Sequence, residues 1–166
     1  MNDNGIKLIQ HYESLHDGDL SQIGLQPKMD PCGIWTEGYG HAMLDSKGNF
    51  IKGPADKKMA YALSKVKTVE QATTLMLADL QPIMLIISRK INIPLNDDQK
   101  GALASFIYNT GGSSTLYKLI NEKSNQLFEW WCNHYITGQG IKLKGLVYRR
   151  QSEALLFTDS KLKFFN

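Results

Sequence analysis

The feature that most constrains the fold of this chain is a change in composition and periodicity in its first half. Residues 17–48 are rich in glycine, proline and aspartate and have no helical periodicity. Within them, the segment from Ile34 to Gly40 has the composition of a glycine-weakened strand or hairpin. Residues 46–49 form a predicted turn, after which Phe50 and Ile51 can pair back. A short hairpin among helices indicates the α+β class.

Helical signals dominate before and after this segment. A first helix is predicted over residues 4–15, because Ile6, Ile9 and Glu13 fall on one helical face. After Pro54 the chain has helical patterns almost to its end. A capping box at Thr68-Val-Glu-Gln71 predicts the start of a long helix, and Asn96 caps the predicted start of the next one. Three further helices are predicted to start at Ser113 or Ser114, at Asn125 and at Tyr148.

The predicted architecture is α+β. A small helix-plus-hairpin N-terminal lobe is joined by a long helix to an all-helical C-terminal lobe. One domain is expected over residues 1–166, with the first lobe over about residues 1–66 and the rest over about residues 67–166. Pro82 lies inside the long helix and predicts a kink or a break there. A cleft between two lobes is a common ligand site.

Length and composition exclude several other classes of protein. With 166 residues, 42% hydrophobic and 21% charged, the chain is expected to fold as a globular protein without disulfides or a metal. Cys32 and Cys132 are expected to be free thiols. No apolar run reaches the roughly 18 residues of a membrane span. The first residues lack the basic and apolar regions of a secretory signal, so we expect synthesis in a cytoplasm.

The net charge of +3 is distributed unevenly. Residues 1–50 carry a net charge of −4, residues 51–139 carry +3, and residues 140–166 carry +4. The basic side chains of the last segment are Lys142, Lys144, Arg149, Arg150, Lys161 and Lys163. A basic tail of this kind favours a polyanionic partner such as nucleic acid, an anionic membrane or cell-wall glycan. An ordinary solvated surface can carry the same charge.

Glu13 is the first candidate for chemistry. It lies near the C-terminal end of the predicted first helix, where the negative end of the helix dipole disfavours an ionised carboxylate. Partial burial in a cleft would add to this effect. A carboxyl group that stays protonated near neutral pH can act as a general acid. A single glutamate is more often a solvated surface residue, so the pattern alone leaves both interpretations open.

Asp30 and Thr36 flank the start of the predicted hairpin, in the run Asp30-Pro-Cys-Gly-Ile-Trp-Thr36. A turn there brings the two side chains together, and a carboxylate with a hydroxyl can hold and polarise one water molecule. Two carboxyl groups flanking a bond, one acidic and one basic, are the minimum for glycoside hydrolysis. An Asp-Pro pair is also a common turn, so this pattern does not decide by itself.

Five blocks of the sequence share a pattern with one known family. The first two are Gly5-Ile-Lys-Leu-Ile-Gln-His-Tyr-Glu13 and Met29-Asp-Pro-Cys-Gly-Ile-Trp-Thr-Glu-Gly-Tyr-Gly-His41. The others cover residues 99–111, 114–121 and 145–153. In this order they resemble the phage-type lysozymes, or endolysins, of glycoside hydrolase family 24. The resemblance extends over most of the chain.

The resemblance implies a lysozyme-like fold and a muramidase that lyses the host cell for phage release. Its substrate would be the β-1,4 bond between N-acetylmuramic acid and N-acetylglucosamine in peptidoglycan. By this analogy Glu13 protonates the leaving oxygen, while Asp30 and Thr36 position the attacking water. Tyr108 and Asn109 resemble the family's cleft-lining pair and are the candidate substrate-binding residues.

Three features depart from the compact members of the family. Residues 16–28 resemble an inserted loop, which either shapes the mouth of the cleft or is inert. Asp30 keeps the family's spacing to Thr36, so Cys32 is not expected to be catalytic. The family's Thr-x-Gly-x-Gly-His signature corresponds to residues 36–41. Glu37 occupies a position in it that is often apolar, and strand alternation is expected to turn its side chain away from Thr36.

The remaining candidates are expected to be mainly structural. The histidines at 11, 16, 41 and 134 and the two cysteines match no common zinc spacing, so neither a metal nor a cofactor is expected. His41 is expected to brace the hairpin by hydrogen bonding. Of the consecutive residues Trp130 and Trp131, one is expected in the core and the other partly exposed. Arg149 and Arg150 are expected either to approach the cleft or to lie on the surface.

The expected partner is the glycan strand of peptidoglycan, bound by a monomer with no nucleic acid. The basic tail can add a weak contact with anionic envelope polymers. The protein is expected to act in the periplasm and to depend on a holin for release. Three alternatives stay open: a lytic transglycosylase using Glu13 alone, a glycan-binding module without an acid, and a basic helix-turn-helix DNA binder.

Overall fold

The computed structural model describes residues 2–165, and its helices and strands divide into two compact units. The hairpin unit is Glu13–Asp79. The helical unit contains the residues up to Tyr12 together with those from Leu80 onward. Helices combined with small antiparallel sheets confirm the predicted α+β class.

The sheet of the hairpin unit is small and antiparallel. Its strands, in order, are β1 (Lys28–Met29), β2 (Trp35–Glu37) and β3 (His41–Ala42). Thr36 pairs with Lys28 on one side and with Ala42 on the other, so its position is fixed from both neighbouring strands. Phe50 pairs back with Leu44 through an isolated bridge, as the turn signal predicts.

The core of the hairpin unit lies between this sheet and a short helix. A 3-10 turn (Pro54–Asp56) leads into α2 (Lys57–Leu63). Trp35, Met43, Ile51 and Ala60 are buried together in one apolar cluster. The indole N–H of Trp35 donates to the Gly53 carbonyl at 2.8 Å, which satisfies its buried polar atom.

The helical unit packs around one central helix. Its helices are α1 (Asp3–Glu13, whose last residue begins the hairpin unit), the second half of α3 (Val69–Lys90), α4 (Asp97–Thr110), α5 (Ser114–Asn121), α6 (Leu127–Asn133) and α7 (Lys144–Asp159). Residues 101–107 of α4 are all buried. Trp131 is fully buried against Phe106, whereas Trp130 is only partly buried, as expected for this pair.

Side-chain caps set the predicted starts of α3, α4 and α5. The starts predicted at Asn125 and Tyr148 are wrong, because α6 begins at Leu127 and α7 at Lys144, both without a side-chain cap. Thr68 accepts from the Gln71 backbone N–H, and Gln71 accepts in return from the Thr68 backbone. Asn96 and Gln99 form a second capping box in the same way. Ser113 caps α5 by accepting from Leu116 N. These caps join residues only three positions apart, so the local sequence suffices to predict them.

The long helix α3 has no break at Pro82 and runs through it for 22 residues. Pro82 is exposed, so water can satisfy the carbonyl group that loses its helical N–H partner. Within residues 2–165, α3 is the one helix long and apolar enough to cross a membrane by length and composition. Core helices of ordinary globular proteins can be equally long and apolar.

The helical lobe also contains a small hairpin, and the expectation of an all-helical lobe needs this correction. Strands β4 (Thr137–Gly138) and β5 (Ile141–Lys142) pair antiparallel. The two residues between them, Gln139 and Gly140, have φ values of 51° and 79°. Two consecutive residues with positive φ are typical of a tight hairpin turn.

Candidate active site

Glu13 is the last residue of α1 and is partly buried, at the helix end that the sequence predicts. Gly40, at the end of the glycine-rich signature, lies close to its carboxyl group. A Cβ atom on Gly40 would lie 3.2 Å from Glu13 Oε2, and the residue has a φ of 83°. Glycine at this position therefore both relieves the backbone and leaves room for the carboxyl group.

Thr36 lies at the middle of β2 and is 4% exposed. Its hydroxyl donates to the Lys28 carbonyl oxygen on β1 at 2.9 Å. The partner is a backbone carbonyl, so the hydroxyl hydrogen has a fixed direction. The hydroxyl oxygen remains available as an acceptor.

Asp30 begins the turn that joins β1 and β2. Its Oδ1 accepts from the backbone N–H groups of Cys32 and Ile34, both at 2.8 Å. None of the residues in the range 2–165 donates a hydrogen bond to its Oδ2. One carboxylate oxygen therefore builds the turn while the other is available for chemistry.

Asp30 and Thr36 lie on the same face of the hairpin. Lys28 pairs with Thr36, and Asp30 follows Lys28 by two positions, so Asp30 is a diagonal neighbour of Thr36. Such neighbours are about 7–8 Å apart, a gap that two short polar side chains and one water molecule can span. This register assigns both residues to one face of the hairpin, and their joint hold on one water molecule stays a prediction.

His16 is a site residue that the sequence argument missed. Its Nδ1 lies 2.7 Å from Thr36 Oγ1, and its backbone N–H donates to the Gly38 carbonyl at 2.8 Å. Burial lowers the pKa of His16 and nearby Lys28 adds to this shift, whereas the negative charges of Glu13 and Asp30 oppose it. The inserted loop of residues 16–28 therefore begins inside the site, and its sequence carries no signal that places the ring there.

Glu37 and His41 have structural partners in the hairpin unit. Glu37 is buried and its Oε2 accepts from Ser64 Oγ at 2.9 Å and from two backbone N–H groups in the same segment, as expected for a side chain turned away from Thr36. His41 Nδ1 lies 2.9 Å from Asp79 Oδ2, which confirms its bracing role. The hydrogen bond to Asp79 raises the pKa of His41.

A cavity of about 590 Å³ lies beside these two residues. Its lining includes apolar side chains such as Leu63, Val66 and Leu75. Glu13, Asp30 and Thr36 do not line it. The cavity is therefore separate from the candidate catalytic groups.

Tyr108 and Asn109 lie near the end of α4, in the helical unit. Tyr108 is partly buried and Asn109 is exposed. Arg150 Nη2 donates to Asn109 Oδ1 at 2.8 Å, which orients the amide. The described geometry of the helical unit thus places both side chains at its surface, consistent with a binding role.

Arg149 and Arg150 are not surface residues, which corrects one of the two expectations for them. They are 3% and 0% exposed. Both form ion pairs with fully buried Glu153, at 3.1 Å from Arg149 Nε to Oε1 and 3.2 Å from Arg150 Nε to Oε2. They therefore add nothing to the exposed positive charge of the tail.

The exposed positive charge of residues 140–166 comes from four lysines. These are Lys142, Lys144, Lys161 and Lys163. The aromatic end of the tail packs on the helical unit, with Phe164 stacked on His11 at 4.1 Å and Phe165 on Tyr148 at 6.4 Å. Phe164 and Phe165 thus have a packing role that is independent of the charge of the tail.

Both cysteines are free, as predicted, with Cys32 exposed and Cys132 partly buried. Across the part of the chain that the structure describes, no group of three or more histidine, cysteine, aspartate or glutamate side chains could hold a metal ion.

Comparison with known proteins identifies the family. A model of the phage lysozyme family matches residues 21–153. The endolysin of Acyrthosiphon pisum secondary endosymbiont phage 1 is 29% identical over 167 residues, covering 95% of this chain and 97% of the relative. The SAR-endolysin of Escherichia phage Mu is 30% identical over 147 residues, covering 83% of this chain and 74% of the relative.

Two solved structures share the fold. The muramidase domain of SpmX from Asticaccaulis excentricus superimposes with a TM-score of 0.69 at 27% identity, covering 95% of this chain and 96% of that one. A mutant of P22 lysozyme gives a TM-score of 0.69 at 25% identity, covering 95% and 97%. These likenesses confirm the lysozyme-like fold that the resemblance implied. Because the family match covers most of its length, the chain belongs to the phage lysozyme family.

Proposed function

We propose that the protein cleaves the β-1,4 bond between N-acetylmuramic acid and N-acetylglucosamine with Glu13, Asp30 and Thr36 as its reacting groups. As a phage lysozyme, the protein is a glycoside hydrolase that acts on peptidoglycan. Its role is that of an endolysin, which lyses the host cell. Residues 1–166 work as one catalytic domain that needs neither metal nor cofactor.

The single observation that carries these assignments is the environment of His16. Its ring lies 2.7 Å from the Thr36 hydroxyl and responds electrostatically to both Glu13 and Asp30. The His16 ring therefore contacts the hydroxyl directly and senses the charges of both carboxyl groups. Two carboxyl groups and a water-holding hydroxyl in one place are what glycoside hydrolysis requires.

Each group has a separate task. Glu13, protonated, donates its proton to the leaving glycosidic oxygen. A water molecule held between Asp30 Oδ2 and Thr36 Oγ1 attacks the anomeric carbon from the opposite face, and Asp30 accepts its proton. Water attack in a single displacement inverts the configuration at the anomeric carbon.

The substitution Glu13→Gln tests the acid directly. It keeps the size of the side chain but removes the proton, so hydrolysis of purified peptidoglycan should fall by about 10²–10⁴-fold. Glu122→Gln is the matched control, because Glu122 is an exposed residue paired with Lys118. Turnover near that of the wild type in a folded Glu13→Gln protein would refute the assignment.

The products test the role of the water. A hydrolase releases reducing ends, and an inverting one releases the opposite anomer, which NMR of fresh product detects. The carboxyl groups of Glu13 and Asp30 should be about 6.5–9.5 Å apart in the competent state. Anhydro-muropeptides would identify a lytic transglycosylase instead, and retained configuration would assign Asp30 as a nucleophile.

Tyr108 and Asn109 bind the glycan in this proposal. Arg150 fixes the orientation of the Asn109 amide through Oδ1, which leaves its N–H groups to donate to sugar oxygens. Asn109→Ala should raise KM more than it lowers kcat, because it removes binding rather than chemistry. An equal fall of kcat and kcat/KM would place Asn109 among the groups that act only in the transition state.

The proposed route to the wall begins with synthesis in the host cytoplasm and continues through a holin lesion to the periplasm. Some relatives are named SAR-endolysins, which points to signal-anchor release. Expression in cells without a holin distinguishes passage through a holin lesion from signal-anchor release. Cells should stay intact until the membrane is permeabilised, and spontaneous lysis would contradict holin dependence.

The tail adds a weak contact with anionic envelope polymers in this proposal. Lys161→Gln with Lys163→Gln removes two exposed charges and keeps the stacking of Phe164 on His11. It also removes the Lys163 charge that lies 4.7 Å from the centre of the Phe165 ring. Activity on whole walls should fall and lose part of its salt dependence, while cleavage of short oligosaccharides stays unchanged. Unchanged activity and salt dependence on whole walls would leave the tail with packing alone.

A further inference from the structure

We propose that His16 is a positioning residue for the hydrolysis, whose Nδ1–H donates to Thr36 Oγ1 and leaves that oxygen a single site for the attacking water. This inference rests on the proposed roles of Thr36 and Asp30. It concerns a residue that lies in the inserted loop and outside the sequence blocks that carry the family resemblance.

The direction of the hydrogen bond follows from counting hydrogens. The Thr36 hydroxyl has one hydrogen, and it points to the Lys28 carbonyl, which can only accept. His16 Nδ1, at 2.7 Å from the same oxygen, must therefore be the donor. Burial lowers the pKa of His16, which favours the neutral ring near neutral pH. That ring is then the tautomer with its hydrogen on Nδ1.

This count leaves one free position on Thr36. A hydroxyl oxygen can accept two hydrogen bonds, and His16 occupies one of them. The remaining lone pair can take a single hydrogen from water, whose second hydrogen can go to Asp30. A water that donates both hydrogens in this way presents its own lone pairs outward, as nucleophilic attack requires. Without His16, two acceptor positions are open and the water is less well oriented.

The backbone holds the His16 ring in place. Its N–H donates to the Gly38 carbonyl at 2.8 Å, so both the backbone and the ring are anchored along the segment that continues β2. Ser14, directly after Glu13, has a φ of 59°, a left-handed conformation that is uncommon for serine. This sharp turn carries the chain from the end of α1 to His16 in three residues.

The charges around the ring fit the same role. Lys28, Glu13 and Asp30 are the charged groups that act on His16. A neutral His16 places no positive charge beside the two carboxyl groups. The ring thus supplies a donor to Thr36 without adding a positive charge to the site.

The test compares variants that keep or remove the donor. In His16→Asn, the side-chain N–H₂ can replace Nδ1–H, whereas His16→Leu has no donor. On purified peptidoglycan, His16→Leu should lower kcat by about ten- to a hundredfold with little change in KM, the range expected for one oriented hydrogen bond in a catalytic site. His16→Asn should recover most of the loss. His134→Leu, at an exposed position in the helical unit, is the matched control and should behave as the wild type.

A double-mutant cycle shows whether His16 acts through Thr36. If it does, His16→Leu in a Thr36→Val background should cost no further activity. Fully additive effects would overturn the inference, as would wild-type kcat in His16→Leu or an Asn variant no better than Leu. If His16→Leu does not fold, His16→Asn against His16→Gln makes the same comparison, because only asparagine places its donor near Nδ1.

The failure of this inference is distinguishable from failure of the proposed function. If Glu13→Gln and Thr36→Val lose activity while His16→Leu keeps it, the proposed function stands and the inference is wrong. If Thr36→Val keeps wild-type activity, both the role of Thr36 and the inference are overturned. If Glu13→Gln keeps activity while Thr36→Val loses it, the assignment of Glu13 as the acid is wrong. The double-mutant cycle of His16 and Thr36 then still decides whether the two residues are coupled.

Discussion

Glu153 should be the most sensitive carboxylate in the helical unit. Its side chain is 0% exposed, and hydrogen-bond donors surround both of its oxygens. Oε1 accepts from Ser105 Oγ at 2.7 Å and Arg149 Nε at 3.1 Å. Oε2 accepts from Trp131 Nε1 at 3.1 Å and lies 3.2 Å from Arg150 Nε. The substitution Glu153→Gln keeps the shape but removes the charge and turns one acceptor oxygen into an amide nitrogen.

The expected loss of stability follows from these hydrogen-bond and ion-pair partners. In either orientation of the introduced amide, its N–H₂ group faces donors, so at least one buried donor loses its acceptor. Two buried guanidinium groups also lose their shared counter-charge. Removing one partner of a buried ion pair typically costs about 3–5 kcal/mol in the free energy of unfolding. For a chain of this length, that corresponds to a Tm lower by about 6–20 °C.

Thermal unfolding followed by circular dichroism measures this effect. The matched control is again Glu122→Gln, whose carboxylate lies 3.9 Å from Lys118 in an exposed pair. Such surface pairs contribute about 0–1 kcal/mol, so the control should unfold close to the wild type. A Glu153→Gln protein that unfolds at the same temperature as the control would refute the argument that buried charge compensation holds this unit together.

Two further predictions concern the hairpin unit. Gly40→Ala places a Cβ atom 3.2 Å from Glu13 Oε2 and should therefore lower the activity. Gly48→Ala is the control, because Gly48 has nearly the same φ and a Cβ atom there meets no atom within 4 Å. Equal activity of the two variants would contradict this prediction. The hydrogen bond to Asp79 raises the pKa of His41 in the folded state. Its contribution to the free energy of unfolding is therefore complete below the unfolded pKa of about 6.5, and it is lost as the pH rises through the higher folded pKa. Asp79→Asn should abolish that part of the pH dependence of Tm, and an unchanged profile would show that the pair does not contribute.

Local interactions explain what could be predicted from the sequence. The caps at Thr68, Asn96 and Ser113 form between residues three positions apart, so their type and spacing are visible in the sequence. The position of Glu13 at a helix end and the turn between Asp30 and Thr36 are local in the same sense. The family resemblance then assigned these residues roles that the patterns alone left open.

The tertiary structure decided the features whose partners are distant in sequence. His16 contacts Thr36 across 20 positions, and Ser105 reaches Glu153 across 48. No periodicity or cap motif records such pairs, because they depend on how the chain returns to itself. For the same reason the sequence does not decide between cleft and surface for Arg149, which the structure shows as a buried ion-pair partner of Glu153. A charged side chain is placed by the partners that the fold brings to it, and the sequence names the charge without its partners.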